Sequence, residues 1–255
     1  MRRRTGDETR ALLLKAGVQM LLERGASAGV QHIRLQEVLR RVGLTTGAAY
    51  RLWADQTDYQ RDLAVEVVRL RLNEPDERAN GAVAELLTSG GSLDDVIRAA
   101  ALTHVQSIER LQSEPTSPQS QSFLIALALR ATADTWPELI EASRARHEES
   151  IEVFNGFYSR VMDAFGYRMR TPYSIRDFTE AMAALGEGFA IHSVERIPHP
   201  PLVIGEGDEG PPGEWTLFGL AVRGLVGEFM VKRDAPPGAE AGRGVDVENV
   251  EDLES

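Results

Sequence analysis

The sequence predicts an all-α protein with a short basic N-terminal segment and a longer acidic helical body. Apolar residues recur with helical spacing nearly throughout the 255 residues, and no segment alternates convincingly as a strand would. Residues 1–61 hold eleven basic and six acidic side chains, a formal charge of +5, whereas the whole chain carries −11. The remainder is therefore at −16, and this asymmetry is typical of a nucleic-acid-binding segment joined to an acidic body.

The composition excludes several classes of protein. Hydrophobic residues make up 42% of the chain and charged residues 26%, which is typical of a folded globular protein. There is no cysteine, so disulfides, thiolate metal sites and cysteine nucleophiles are excluded. The longest uninterrupted apolar run, residues 123–129, is too short to span a bilayer. We therefore expect a cytoplasmic protein that makes no membrane contact.

Four helices are predicted in the N-terminal segment. The first three cover residues 7–24, 35–42 and 46–53. The fourth begins after Asp55, which has the spacing of a capping box with Asp58. It is expected to run to about Asn73, because Glu74 and Pro75 stop it.

Longer helices are predicted downstream, most with a local start signal. The signal is either a serine with an aspartate three residues later or a proline at the first helical position. These signals stand at Ser92 with Asp95, Pro118, Pro137, and Ser174 with Asp177. The predicted segments cover residues 76–88, 92–113, 118–134, 137–166, 174–195 and 215–231.

Three regions follow from this order of elements. Residues 1–57 form a predicted helix-turn-helix domain, and residues 58–232 form a larger helical domain. Within the larger domain, residues 197–214 contain five prolines and are predicted to be a long loop. Residues 233–255 are rich in acidic residues, glycine and proline, and we expect a disordered tail there.

Residues 35–53 hold the pattern that points to a function. A helix, a tight turn at Gly43 and a second short helix capped by Thr45 have the form of a helix-turn-helix unit. The exposed start of the second helix carries small or hydrogen-bonding groups. These are Thr45, Thr46, Gly47 and Ala48, followed by Tyr50 and Arg51. Such a surface suits the major groove of DNA, because short side chains allow close approach and a long arginine reaches a guanine edge or a phosphate.

The spacing Gly43-x-Thr45-x-Gly47-x-x-Tyr50-x-x-Trp53 resembles the recognition region of the TetR family of bacterial transcriptional regulators. The first helix is also similar to that of the family, through Thr9-Arg10, Ala16-Gly17 and Glu23-Arg24-Gly25. The likeness covers residues 9–63, about a fifth of the chain. It implies a homodimer, most often a repressor, that binds a palindromic operator in double-stranded DNA. It also implies a small-molecule effector, bound in each larger domain, that releases or rearranges the protein.

The resemblance assigns roles to the residues of the second short helix. It puts Tyr50 and Thr45 on phosphates. It puts Thr46, Ala48 and Arg51 near base edges.

The chain departs from the family pattern at three positions. Gln56 stands where a lysine usually begins the fourth helix, and Thr46 replaces another frequent lysine. Arg34 stands where serine or threonine commonly begins the second helix. Loss of two cations predicts a flatter salt dependence of DNA binding, although Arg34, Arg40 and an arm of three arginines offer compensation. The arm, Arg2-Arg3-Arg4, is either a minor-groove contact or a solvated tail.

The family's plan also implies an effector pocket, with aromatic walls and a histidine as polar handle. The candidates are His104, Phe123, Trp136, His147, Phe154, Phe157 and Tyr158. Ordinary core packing accounts for each of them equally well.

The last two long helices are apolar on more than one face, so they are either central in a monomer or part of a subunit interface. We favour the interface, because terminal helices seldom sit centrally in a monomer. The candidate interface residues are Phe178, Ala181, Met182, Leu185, Leu217, Leu220, Gly224 and Gly227.

No catalytic constellation, cofactor motif or metal site is predicted. The five histidines show no ligand spacing. Two other interpretations stay open: a helical interaction module with degenerate DNA binding, and an enzyme on a helical scaffold.

Overall fold

The protein is mainly α-helical in a computed structural model. The structure describes residues 4–25, 29–69, 81, 84–86, 88–113, 118–131, 136–204 and 213–235. Within these ranges no helix is long and apolar enough to cross a membrane. The prediction of a predominantly helical protein is confirmed.

The helices are numbered here in chain order. Their bounds are α1 Gly6–Arg24, α2 Leu35–Val42, α3 Thr46–Ala49, α4 Gln56–Val68, α5 Leu93–Ser113, α6 Pro118–Ala131, α7 Pro137–Ala164, α8 Ile175–Val194 and α9 Leu217–Phe229. A 3-10 turn, Val30–His32, precedes α2. The predicted starts of α5, α6, α7 and α8 agree with these bounds to within one residue.

Side-chain caps explain why the helix starts are predictable. Ser92 and Asp95 form a closed capping box before α5, since each side chain accepts a hydrogen bond from the other's backbone N–H. A box of the same kind begins α8. Before α4, Asp55 accepts from the N–H of Asp58, but the Asp58 carboxylate accepts from Ala54, so this box is not closed.

The structure adds a few short strands that the sequence periodicity does not indicate. The described ranges contain four short strands: β1 Tyr167–Met169, β2 Leu202–Ile204, β3 Gly213–Trp215 and β4 Met230–Lys232. β1 pairs antiparallel with β4, and β2 with β3. Three residues are too few to show an alternating pattern, which is why periodicity does not reveal them. The predicted 197–214 loop therefore contains strand structure, and the last helix ends at Phe229 instead of 231.

The first compact unit consists of residues 1–74 and 109–150. In it α1 packs against α2, α4 and α6. Its core includes the fully or nearly fully buried side chains of Leu13, Leu21, Val38, Leu63, Ile125 and Leu139. The unit is larger than the predicted helix-turn-helix segment 1–57, because α4, α6 and the start of α7 supply part of the core.

The second compact unit consists of residues 75–108 and 151–255, and in it α8 packs against α9. One buried cluster surrounds Trp215 and Phe218, and another surrounds Phe178 and Met230. Most of the predicted acidic tail, residues 236–255, lies outside the described residues.

Candidate functional site

The turn between α2 and α3 depends on a glycine. Gly43 has φ 69° and ψ 32°, a left-handed conformation in which its N–H points back to the carbonyls of Leu39 and Arg40. The N–H of Leu44 also donates to the Leu39 carbonyl, at 3.0 Å. Side chains other than glycine are strained in this conformation, so Gly43 fixes the direction in which the chain leaves α2.

The second short helix is shorter than predicted. Regular helix covers only Thr46–Ala49, and residues 50–52 continue as turns instead of reaching 53 as helix. The N–H groups of Leu52 and Trp53 both donate to the Ala49 carbonyl. These bonds keep residues 46–53 compact although the regular helix ends at Ala49.

One side of this segment is anchored in the core. Ala49 and Trp53 are buried, and the indole N–H of Trp53 donates to Asp62 at 2.6 Å. The Trp53 ring meets Tyr59 edge to face at 5.0 Å between centroids. The rigid anchor fixes the rotation of α3, and therefore which residues face outward.

The other side carries the residues of the second short helix that the resemblance assigns to base or phosphate contact. Thr45, Thr46, Gly47 and Arg51 are exposed, Ala48 is half-buried, and the Tyr50 side chain is 63% exposed. Thr45 stands at the N-cap position, but its side chain forms no capping hydrogen bond. The predicted capping role of Thr45 is therefore wrong, because the hydroxyl does not bond to the helix that it precedes.

Gln56 holds the start of α2, a role that the sequence did not reveal. Its side-chain carbonyl accepts from the Leu35 N–H at 2.9 Å, and its amide donates to the Ile33 carbonyl at 2.9 Å. Gln60, one turn later, donates to the Gln31 carbonyl at 2.7 Å. Gln56 thus takes the place of an N-cap side chain at α2, where Arg34 forms no capping bond.

Ion pairs neutralise many of the basic side chains in this unit. The pairs are Arg10–Asp62, Arg24–Glu37, Arg41–Glu23 and Arg61–Asp58. By contrast, Arg34, Arg40 and Arg51 are exposed and form no salt bridge with any residue in the described part of the chain. None of these three guanidinium groups is therefore held in a salt bridge among the described residues.

The positive charges of Arg24, Arg34 and Arg40 act on Glu37. The hydrogen bond from Arg24 is the main cause that lowers the pKa of Glu37, and the nearby charges of Arg24, Arg40 and Arg34 lower it further. Glu37 is therefore anionic at neutral pH and offsets one positive charge on α2. The net charge that α2 presents is smaller than its number of arginines suggests.

The N-terminal arm is described only in part. Arg4 is exposed, and Arg2 and Arg3 lie outside the described residues. Thr5 and Glu8 form a closed capping box that starts α1 directly after the arm.

The structure divides the predicted effector residues between the two units. Trp136 packs on the core of the first unit, and His147 also belongs to that unit. His104, Phe154, Phe157 and Tyr158 belong to the second unit, and the side chain of Phe123 lies outside the described part.

In the second unit these side chains are packed in aromatic clusters. His104 stacks on Phe218 at 4.3 Å between centroids, and Tyr158 contacts the rings of Phe154, Phe157 and Phe178. Burial lowers the pKa of His104 and raises the pKa of Tyr158 to about 12, so both are neutral at pH 7.

Two buried polar atoms in this unit have no hydrogen-bond partner among the described residues. They are His104 Nε2 and Asn155 Oδ1. An unpaired buried polar atom costs about 1–3 kcal/mol, so a bound molecule that supplied a donor or acceptor would be favoured there.

An open groove of about 630 Å³ lies elsewhere in the second unit, along α9. None of the predicted effector residues lines it. Its walls are Asp94, Tyr167, Ile204, Leu220, Arg223, Gly224, Val226, Gly227 and Met230.

The predicted interface residues differ in exposure. Phe178 is 2% exposed and packs on Tyr158 and Phe229 of its own chain, and Ala181, Met182, Leu185 and Leu220 are half-buried. Leu217, Gly224 and Gly227 are exposed. A Cβ added at either glycine meets no neighbouring atom within 4 Å, so the space directly beside both glycines is unfilled.

Among the described residues no group of three or more histidine, aspartate or glutamate side chains gathers as a metal site. Comparison with models of known families finds none that matches the chain, and a search of curated proteins finds no match.

Proposed function

We propose that this protein is a sequence-specific DNA-binding transcriptional regulator that acts as a homodimer. Most members of the family that its N-terminal segment resembles are repressors, so we propose that it represses. The observation that carries the proposal is the two-sided structure of residues 45–53. Ala49 and Trp53 anchor one side, while Thr46, Tyr50 and Arg51 stand exposed on the other. A short element held rigidly with a hydrogen-bonding outer surface is what direct readout of a major groove requires.

The charges agree with this proposal. Arg34, Arg40 and Arg51 are exposed outside any salt bridge of the described residues, so they are available to phosphates or guanine edges. Residues 62–255 have a formal charge of −16 and repel DNA, which favours docking through the basic N-terminal segment, residues 1–61.

We propose that the two chains of the homodimer meet at the face of α9 that carries Gly224 and Gly227. Gly224 and Gly227 leave room for the backbone of a second helix to approach closely, and the half-buried Leu220 lies beside them on the wall of the groove. Two recognition elements held roughly 34–36 Å apart then read a palindromic operator in successive major grooves.

The dimer has its own test, independent of DNA. In Gly224→Leu and Gly227→Leu the added Cβ meets no neighbouring atom within 4 Å, so we expect each variant to fold while the larger side chain blocks a helix–helix contact. Light scattering after gel filtration is expected to show dimers for the wild type and for the control Ala11→Leu, on an exposed face of α1. Dimers in the Gly227→Leu variant would show that α9 is not the interface.

We place the effector in the second unit, beside the unpaired atoms His104 Nε2 and Asn155 Oδ1. A ligand that bonds to either atom in only one conformation shifts the population toward that conformation. A shift of a few ångströms between the recognition elements then weakens operator binding. A thermal-shift screen of small molecules is the direct test, because a ligand that binds the native state raises its melting temperature.

A helical interaction module with degenerate DNA binding is the second candidate, and Gln56 favours it. The side chain at the expected phosphate-binding position is fully engaged with Leu35 and Ile33. Selection of duplexes from random DNA by the purified protein separates the two candidates. We expect a palindromic site to be recovered at low to moderate salt, and the double variant Tyr50→Ala with Arg51→Ala to recover none; recovery of the same site by that variant contradicts the assignment.

A further inference from the structure

Two histidines without the spacing of a known metal motif come together at the end of α8. His192 Nδ1 lies 3.1 Å from His199 Nε2, and the two rings stack with their centroids 5.2 Å apart. The ring of Phe189 lies 5.1 Å from His199 and 6.0 Å from His192, so one side of the pair faces an apolar wall. We propose that His192 and His199 form a two-imidazole site for a late first-row divalent ion such as Zn²⁺ or Ni²⁺.

The backbone between the two histidines is arranged to return the chain onto the helix. The N–H of Ile197 donates to the His192 carbonyl at 2.9 Å, and the N–H of Arg196 donates to the Ser193 carbonyl at 3.0 Å. This is the hydrogen-bond pattern of a Schellman motif, with Arg196 in the left-handed position at φ 58°. A non-glycine residue in that conformation costs roughly 1–2 kcal/mol, and the turn brings His199 back over His192.

The spacing of the two nitrogens suits a metal chelate. With metal–nitrogen bonds of about 2.0–2.1 Å, donors 3.1 Å apart subtend an angle of about 100° at the ion. That angle lies between the square-planar and tetrahedral values, and neutral imidazole is a preferred ligand of zinc, nickel and copper ions.

A change of tautomer in one ring allows both facing nitrogens to bind the ion. The present contact needs a proton on one facing nitrogen and a lone pair on the other. If that proton moves to the far nitrogen of its own ring, both facing nitrogens offer lone pairs and neither ring changes charge. Water fills the remaining coordination positions, since the described residues offer no third metal-type side chain to this pair. The ion joins the segment before β2 to the last turn of α8.

Titration calorimetry of the untagged full chain with ZnCl₂ and with NiCl₂ tests the proposal. We expect one ion per chain, and a dissociation constant raised at least roughly tenfold in both His192→Ala and His199→Ala, since loss of even an outer-shell partner costs that much. The control is His32→Ala, which removes an exposed histidine of the first unit and is expected to bind as the wild type does.

His199 lies outside α8, so His199→Ala leaves the helix intact and decides the test if His192→Ala does not fold. Zn²⁺ is also expected to raise the melting temperature of the wild type and not that of His199→Ala. Absence of saturable binding by the wild type, or equal affinity in His199→Ala, overturns the proposal. Neither result bears on DNA binding, which does not involve these residues.

Discussion

Replacement of Gln56 by alanine is expected to loosen the start of α2. The substitution removes two hydrogen bonds of 2.9 Å, one to the Leu35 N–H and one to the Ile33 carbonyl. Each is worth about 1 kcal/mol net, and an N–H left unpaired near the buried Leu35 side chain adds part of a desolvation penalty. The total is about 2–3 kcal/mol of local stability. Gln56→Glu keeps the acceptor for Leu35 and loses the donor for Ile33, so its cost should be about half.

Hydrogen exchange of the α2 amides, measured peptide by peptide, is the assay, because it reports local opening. A loss of 2–3 kcal/mol raises their exchange rate roughly 30- to 150-fold. Gln36→Ala removes the same side chain from an exposed position on α2 and should change the rate less than about threefold. If the α2 amides exchange as slowly in the Gln56→Ala variant as in Gln36→Ala, Gln56 does not hold the start of the helix.

Three further predictions concern stability. Gly17→Ala should destabilise the first unit by about 1–3 kcal/mol in urea unfolding, because the added Cβ lies 2.1 Å from the Tyr59 hydroxyl oxygen. Arg196→Gly should stabilise the second unit by roughly 1 kcal/mol in the same assay, because it relieves the left-handed φ of 58°. The pKa of Asp95 is lowered to about 2, chiefly by its hydrogen bonds with Ser92, so its stabilising effect is present above about pH 4 and is lost as the pH falls toward 2. The difference in melting temperature between the wild type and Asp95→Asn should therefore shrink over that range; parallel curves contradict the prediction.

Matched variants separate these effects from general ones. Gly186→Ala, where an added Cβ meets nothing within 4 Å, should be neutral or stabilising, in contrast to Gly17→Ala. Arg196→Ala keeps a Cβ in the left-handed conformation and should not reproduce the gain of Arg196→Gly. Equal effects within either pair contradict the structural explanation.

The parts of the fold that the sequence predicts are those with local causes. The starts of α5 and α8 follow from a side chain and a backbone N–H three residues apart, as Ser92 with Asp95 shows. The anchored and exposed sides of residues 45–53 follow from the spacing of Ala49 and Trp53 between polar residues. Such contacts can be inferred because the residues involved are neighbours in the chain.

The features that the sequence does not predict arise between residues that no local pattern connects. Gln56 bonds to a backbone N–H 21 residues earlier, so no local pattern distinguishes it from an exposed glutamine. β1 pairs with β4 across more than sixty residues, and each strand is too short to show a period. His192 and His199 meet only because a non-glycine residue, Arg196, adopts a left-handed conformation between them.

We propose that the exposed side of residues 45–53 binds DNA. Fluorescence anisotropy of a selected palindromic duplex over a series of salt concentrations tests it with Arg51→Ala and the control Arg144→Ala, which removes an exposed arginine from α7. We expect Arg51→Ala to weaken binding roughly 5- to 150-fold if it reads a guanine, about 1–3 kcal/mol, or to reduce the salt slope by about one if it neutralises a phosphate. Arg144→Ala should follow the wild type. Superimposable curves for Arg51→Ala and Arg144→Ala would contradict the claim.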